Sequence, residues 1–269
     1  MLANLEGLIV PMVTLDCEDY NHALSGFLVD SGVAAIFRLG RNGEFEKQAF
    51  EQKKEMIVRM REIVYGNTKL LVGVTGKSNE ETIKLTGLAT DYGADAAVIM
   101  PTYQTELSTY KFTDSVLGSA SIDLIFYNNP GITDGRMIPI EDLNRFAMCP
   151  RIKGVKDSSG NADYFSELLK IRERNPGFKV YHGSEELMIA RPDLEMDGIV
   201  SGTANFEPLF IKTIYEAIKK GLAGEVKGEI AMLRRIHETY RSGDAISIIK
   251  GSVGMLDLER YKKAVSTSL

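Results

Sequence analysis

Lys156 ends the apolar run Ile152-Lys153-Gly154-Val155-Lys156, and Tyr127 ends the run Leu124-Ile125-Phe126-Tyr127. If both runs are strands, successive side chains point to opposite sides, so Ile125 and Tyr127 share a face, as do Gly154 and Lys156. An amine held in an apolar interior loses hydration, its pKa falls, and the neutral form can attack a ketone to give an imine. A phenol on the neighbouring strand can carry protons to and from the substrate oxygen. Lys153 falls on the other parity and reads as a solvated or snorkelling lysine. Gly154 leaves space below the Lys156 amine. A strand-ending lysine alone is more often a solvated loop residue or half of an ion pair, and a tyrosine there more often a core or rim residue. Matching parity in both runs is what points to chemistry.

Positioning such a pair requires a scaffold of strands, and the sequence alternates accordingly. Apolar runs rich in β-branched residues fall at Leu8–Val13, Ala34–Leu39, Lys69–Val74, Ala96–Met100, Asp123–Tyr127, Ile152–Lys156, Lys179–Tyr181 and Gly198–Ser201. Stretches of helical period separate them. The clearest helix is expected over Phe45–Tyr65, with Gly66-Asn67 as its stop, and Ser78 with Glu81 forms a capping box for the next. Eight strand–helix alternations predict a (β/α)8 TIM barrel over residues 1–206, a doubly wound open sheet being the alternative. Beyond Asn205, Glu207–Lys220, Glu225–Tyr240 and the tail after Asp244 read as helices joined by glycine turns. Residues 207–269 are therefore expected to form a C-terminal helical extension that covers part of the barrel or meets another subunit. In a barrel of this kind the loops after the strands carry the active site.

The 269 residues, 44% hydrophobic and 26% charged, suit one large domain with ample core. A net charge of -5 gives no broad basic surface, so nucleic acid is not an expected partner. Cys17 and Cys149 lie far apart without metal-ligand spacing and read as reduced thiols. His22, His182 and His237 show no ligand spacing, so no metal is expected. No basic leader and no apolar stretch of membrane-spanning length are present, which points to the cytoplasm and to no membrane partner. Gly76-Lys77-Ser78 fails as a phosphate loop because Leu71 stands where the first glycine is required.

The same residues carry a family likeness. Phe126-Tyr127-Asn128-Asn129-Pro130-Gly131 resembles the tyrosine motif of the dihydrodipicolinate synthase/N-acetylneuraminate lyase family. Ile152-Lys153-Gly154-Val155-Lys156-Asp157-Ser158-Ser159-Gly160 resembles its Schiff-base lysine motif. Gly40-Arg41-Asn42-Gly43-Glu44 stands where the family has a Gly-Thr-Thr-Gly-Glu loop. Gly93–Val98, Pro101-Thr102-Tyr103 and Gly198–Asn205 match further segments in order. The resemblance implies a metal-independent, cofactor-free class I pyruvate lyase or aldolase on a (β/α)8 barrel, assembled as a homotetramer. It implies that Lys156 forms the imine with pyruvate or a 2-keto acid, that Tyr127 shuttles the proton, and that Tyr103 reaches across a dimer interface into a neighbouring site. The loop Gly40, Arg41, Asn42 and Gly43 would hold the substrate carboxylate, through backbone amides forming an anion nest.

Where the sequence departs from the family, substrate expectations follow. Arg41 and Asn42 replace the two threonines, one of which links the two tyrosines through its hydroxyl. Arg41 or Asn42 is therefore expected to bind the carboxylate directly, with water completing the relay. Ile132 stands where dihydrodipicolinate synthases carry an arginine for the aspartate semialdehyde carboxylate, which disfavours that substrate. Gly202-Thr203-Ala204-Asn205-Phe206-Glu207-Pro208 resembles 2-keto-3-deoxygluconate aldolases. The expectation is an aldolase cleaving a 2-keto-3-deoxy sugar acid, 2-keto-3-deoxygluconate or its 6-phosphate, to pyruvate and glyceraldehyde or its 3-phosphate. Thr133, Ser158 and Ser184, after strands five, six and seven, are candidate hydroxyl contacts, and Ser201 at the end of strand eight joins the expected substrate set. Arg41, Arg136 and Arg234 are candidates for a phosphate. Alternatives are a dihydrodipicolinate synthase, a sugar-acid dehydratase using the same imine, or a non-catalytic barrel that binds a keto acid.

Overall fold

The eight apolar runs become eight parallel strands because each is buried on both faces, where β-branched residues pack best. In the computed structural model, which describes residues 2, 5–61, 64, 66–101, 103, 107–259 and 261, these are β1 (Gly7–Pro11), β2 (Ala35–Arg38), β3 (Lys69–Gly73), β4 (Ala96–Ile99), β5 (Leu124–Asn128), β6 (Ile152–Asp157), β7 (Lys179–His182) and β8 (Gly198–Val200). Each pairs with the next and β8 pairs with β1, so the sheet closes into a barrel. The connecting helices are α1 (Glu18–Asp30), α2 (Phe50–Met60), α3 (Asn79–Asp91), α4 (Thr109–Ser119), α5 (Ile140–Phe146), α6 (Ala162–Arg174) and α7 (Glu185–Ala190). The fold is the TIM barrel the alternation predicts. The inner stripe of α6 shows why these helices dock: Phe165, Leu168 and Ile171, spaced by three, are all fully buried.

Among the described residues three α-helices follow β8. Helix α8 (Pro208–Lys219) lies against β1, and α9 (Lys227–Arg241) and α10 (Ala245–Gly254) contact α7 and the turn at Thr203–Asn205 respectively. Among the described residues no helix is long and apolar enough to cross a membrane.

One helix departs from expectation. The structure starts α2 at Phe50, not Phe45, because residues 41–47 are turns and Glu44 adopts φ +53°, which no α-helix admits. The Gln52 side chain accepts from Ala49 N at 2.8 Å and opens the helix there. Its expected far end falls partly on residues 62, 63 and 65, outside the described ones. Ser78 caps α3 by accepting from Glu81 N at 3.1 Å, while the Glu81 side chain turns to Lys77 N and Lys53.

On the outer face of β7, His182 is fully buried, stacked on Phe165 at 4.3 Å, with no partner for Nε2 among the described residues. Burial pushes its pKa down to about 4 from 6.5. The unfolded chain therefore takes up the proton first, so native stability falls as pH drops from 6.5 to 4, by up to about 3 kcal/mol, and His182 contributes no further loss below that. Urea unfolding followed across this range should show a steeper loss in the wild type than in His182→Phe; parallel curves would contradict a histidine buried neutral.

Candidate active site

Strand pairing sets Tyr127 directly beside Lys156. The register slips once on the way: Leu124 pairs with Ile152 but Ile125 pairs with Gly154, so Lys153 is an extra residue in β6. Its amine turns outward to Pro150 O at 2.6 Å and Asp123 at 3.7 Å. Gly154 is required here, since a Cβ would lie 2.1 Å from Lys179 O on β7. Beyond this bulge the inward parity of Lys156 and Tyr127 is as expected.

The Lys156 amine lies 3.5 Å from the centroid of the Tyr127 ring and 5.9 Å from that of Phe37. Lysine and tyrosine are only 7% and 3% exposed. Phe37 and Tyr127 meet edge to face at 6.2 Å. Burial pulls the Lys156 pKa below its ordinary value; the Tyr127 oxygen and Asp157 favour the charged form without cancelling this, and the Arg41 charge adds to the lowering. Burial pushes the Tyr127 phenol up, but the Lys156 charge and hydrogen bonds from Lys156, Asn129 and Ser158 more than offset it. That pull lasts only while the amine holds its proton, so the two groups trade protonation states. The bond from Asn129 Nδ2 to the phenol oxygen is 2.7 Å long. Behind the pair, the fully buried Asp157 accepts from Asn128 Nδ2 at 2.7 Å and Ser159 Oγ at 2.8 Å, pinning the ends of β5 and β6 together.

These groups open into a cavity of about 500 Å³ at the strands' carboxyl ends, within the range of small-molecule sites. One wall is the loop after β2. It begins with Leu39 at φ +57°, whose carbonyl lies 2.2 Å from where a Cβ on Gly73 would be. Only glycine at 73 lets the chain turn there, and the turn delivers Arg41 and Asn42 to the cavity. Arg41 has no salt-bridge partner among the described residues. The loop is tied down by Thr14 Oγ1 donating to Gly43 O at 2.9 Å and by Glu44, which holds Lys47 at 2.5 Å and Lys250 of α10.

Of the expected substrate contacts, Arg41, Asn42, Ser158 and Ser184 line the cavity with Lys156 and Tyr127. The Ser184 hydroxyl also caps α7, accepting from Leu187 N at 3.1 Å. Gly40, Gly43 and Ser201 are not in the lining. Gly40 sits under the Phe37 ring, and Ser201 is fully buried, donating to Glu185 at 2.6 Å. Tyr103 is apart from the cavity in this chain, donating to Glu46 at 2.8 Å against the Phe45 ring; burial and Glu46 push its pKa up. Thr133 is fully buried, its hydroxyl between the carbonyls of Asn129 and Arg136, and Arg136 and Arg234 are outside the lining. Residues that sequence reasoning gave no role are Asn129, Glu185, His237 and Tyr240. Asn129 shares strand parity with Tyr127, a signal that was available. The pairing of Glu185 with His237 depends on the docking of α9 and leaves no local signature. Among the described residues, no cluster of His, Cys, Asp and Glu could hold a metal ion.

A model of the dihydrodipicolinate synthetase family matches residues 8–266. The chain belongs to that family. It is 33% identical over 251 residues to an uncharacterized DapA-like lyase of Pyrococcus furiosus, covering 88% of this chain and 83% of that one. It is 30% identical over 216 residues to a 2-dehydro-3-deoxy-D-gluconate/2-dehydro-3-deoxy-phosphogluconate aldolase of Picrophilus torridus, covering 78% and 79%. Among solved family structures, the Escherichia coli K12 prophage protein YagE in complex with pyruvate superimposes with a TM-score of 0.84 at 25% identity, covering 92% of this chain and 87% of that one.

The lowered amine pKa has a direct chemical readout. Reductive methylation with formaldehyde and cyanoborohydride near neutral pH should modify Lys156 ahead of Lys47, whose amine Glu44 holds above its ordinary value. Peptide mass mapping over time gives the order, and Lys47 reacting first would contradict a desolvated, partly neutral Lys156.

Proposed function

We propose that the protein is a pyruvate-dependent class I aldolase that reversibly cleaves a 2-keto-3-deoxy sugar acid, 2-keto-3-deoxygluconate or its 6-phosphate, to pyruvate and glyceraldehyde or its 3-phosphate. The observation that carries this reading is the buried Lys156 amine 3.5 Å from the Tyr127 ring, opening into a cavity that also presents Arg41. Relatives named as lyases and aldolases support it: the Picrophilus torridus relative by name acts on this sugar-acid class, and the Escherichia coli structure holds pyruvate, while other relatives are named 4-hydroxy-tetrahydrodipicolinate synthases. Ile132 is an apolar residue packed on the core, so that position offers no cation for a second acidic substrate, which favours a sugar acid over aspartate semialdehyde.

In this reading the neutral Lys156 amine adds to C2 of the substrate, and the resulting carbinolamine loses water as Tyr127 gives its proton to the departing hydroxyl. The product is a protonated imine beside a phenolate. The phenolate takes the proton from the C4 hydroxyl, the C3–C4 bond breaks, and its electrons move into the imine to leave an enamine and the free aldehyde. Tyr127 returns the proton to C3, water adds to the pyruvate imine, and pyruvate departs with the amine restored. Asn129, donating to the phenol oxygen at 2.7 Å, stabilises the phenolate between these transfers. Arg41 or Asn42 holds the C1 carboxylate, a role suited to a guanidinium without another anionic partner. The imine is the electron sink, so the scheme uses no metal or organic cofactor.

Borohydride added with pyruvate should fix a covalent adduct on the wild-type protein at Lys156 and none on Lys156→Ala; an adduct that persists in that variant ends this account. Tyr127→Phe should still form the adduct slowly yet turn over about 10²–10⁴-fold less in a pyruvate-release assay. Turnover close to wild type would assign the proton transfers to another group.

A further inference from the structure

The cavity has a second polar group that the imine chemistry does not use. Helix α9 presents a stripe of Ile230, Leu233, His237 and Tyr240 at helical spacing. Its first two members are buried and its last two line the cavity. Burial pushes the Glu185 carboxyl up, but the bonds from His237, Ser201 and Thr203 more than offset this and keep it ionised. Hydrogen-bond accounting around Glu185 then fixes which nitrogen of the histidine faces it. Glu185 Oε1 accepts from Ser201 Oγ at 2.6 Å and Thr203 N at 3.1 Å, and Oε2 accepts from Thr203 Oγ1 at 2.7 Å. The remaining contact to Oε2 is His237 Nε2 at 2.7 Å. An ionised carboxylate has no proton to give, so Nε2 must carry the hydrogen and donate it. Nδ1 is then the ring nitrogen left for a ligand, an acceptor in the neutral ring and a donor in the imidazolium. No residue described in the structure bonds to Nδ1, and the ring borders the cavity.

The ring is also held in place. Tyr240 meets it edge to face at 5.4 Å, and the Tyr240 hydroxyl contacts Thr203 Oγ1 at 3.1 Å. Because the Thr203 proton is committed to Glu185, Tyr240 is the donor in that contact. Five hydrogen bonds and one ring contact thus hold in place a histidine that lines the cavity.

We propose that His237 is a specificity-determining residue whose Nδ1 hydrogen-bonds a hydroxyl on the aldehyde-derived half of the substrate, with Glu185 as the positioning residue that holds Nε2 and so leaves Nδ1 for the ligand. The substrate class this selects is a polyhydroxylated aldehyde condensing with pyruvate, as against an aldehyde without hydroxyls. The inference rests on the aldolase reading above and extends it to the part of the substrate away from the imine.

The test compares two three-carbon aldehydes, glyceraldehyde and propanal, each condensed with pyruvate by the wild type and by His237→Gln. The glutamine amide reaches the place of Nε2 and can still donate to Glu185, but it offers nothing at the place of Nδ1. The expected result is a fall of about 10-fold or more in the glyceraldehyde-to-propanal ratio of kcat/KM, carried mainly by KM for glyceraldehyde. Borohydride trapping of pyruvate on Lys156 is followed in parallel. A variant that loses both aldehydes equally has a merely structural histidine, and an unchanged ratio likewise overturns the proposal. Absence of pyruvate trapping in the wild type removes the aldolase reading itself, whereas trapping with an unchanged ratio removes only the role given to His237.

Discussion

Keeping the Lys156 amine inside a barrel, 3.5 Å from an aromatic face and nearly out of reach of water, sets the terms for everything around it. An ammonium deprived of hydration costs several kcal/mol, and the chain can respond by pairing it, by neutralising it, or by both. Here the partner is the π face of Tyr127 and the electron-rich phenol oxygen. Among the described residues no carboxylate bonds to the amine. Asp157 is adjacent in sequence but faces the helix layer, where Asn128 and Ser159 absorb its hydrogen-bonding capacity. A carboxylate bonded to the amine would have held it protonated and inert as a nucleophile.

Local strain around the site serves that arrangement. Leu39 and Glu44 both occupy positive φ, at a cost on the order of 1–3 kcal/mol each for residues with side chains. In return the loop after β2 bends across the barrel mouth and carries Arg41 toward the amine, where its charge further disfavours a second cation. Lys250 reaches from α10 to Glu44 and fixes the bend. The bulge in β6 works similarly from the other side, ejecting Lys153 so that Lys156 and Tyr127 come level.

Much of this was legible in the chain itself, for identifiable reasons. The strands sit within two residues of their expected limits because runs such as Leu70-Leu71-Val72 and Leu124-Ile125-Phe126 are buried on both faces and have little other use. The alternation of side chains along a strand sufficed to aim Lys156 and Tyr127. Helix α2 was misplaced at its start because the periodicity of Ala49 and Phe50 extends backward into residues whose backbone tertiary contacts hold as turns. The Glu185–His237 contact was beyond reach, since it joins α7 to α9 across long separation and neither residue stands in a local pattern. Ser201 illustrates the converse: its position at the end of β8 was right, but burial commits its hydroxyl to Glu185.

The cavity wall furnished by α9 and α10 has a bearing on how the protein comes into being. Strands β5 and β6 leave the ribosome well before the residues around His237, Asp244 and Ile249 do. Until those late helices dock, the mouth of the barrel lacks the wall they supply. The substrate-facing side of the cavity is therefore finished last in synthesis, after the strands that carry the lysine and the tyrosine.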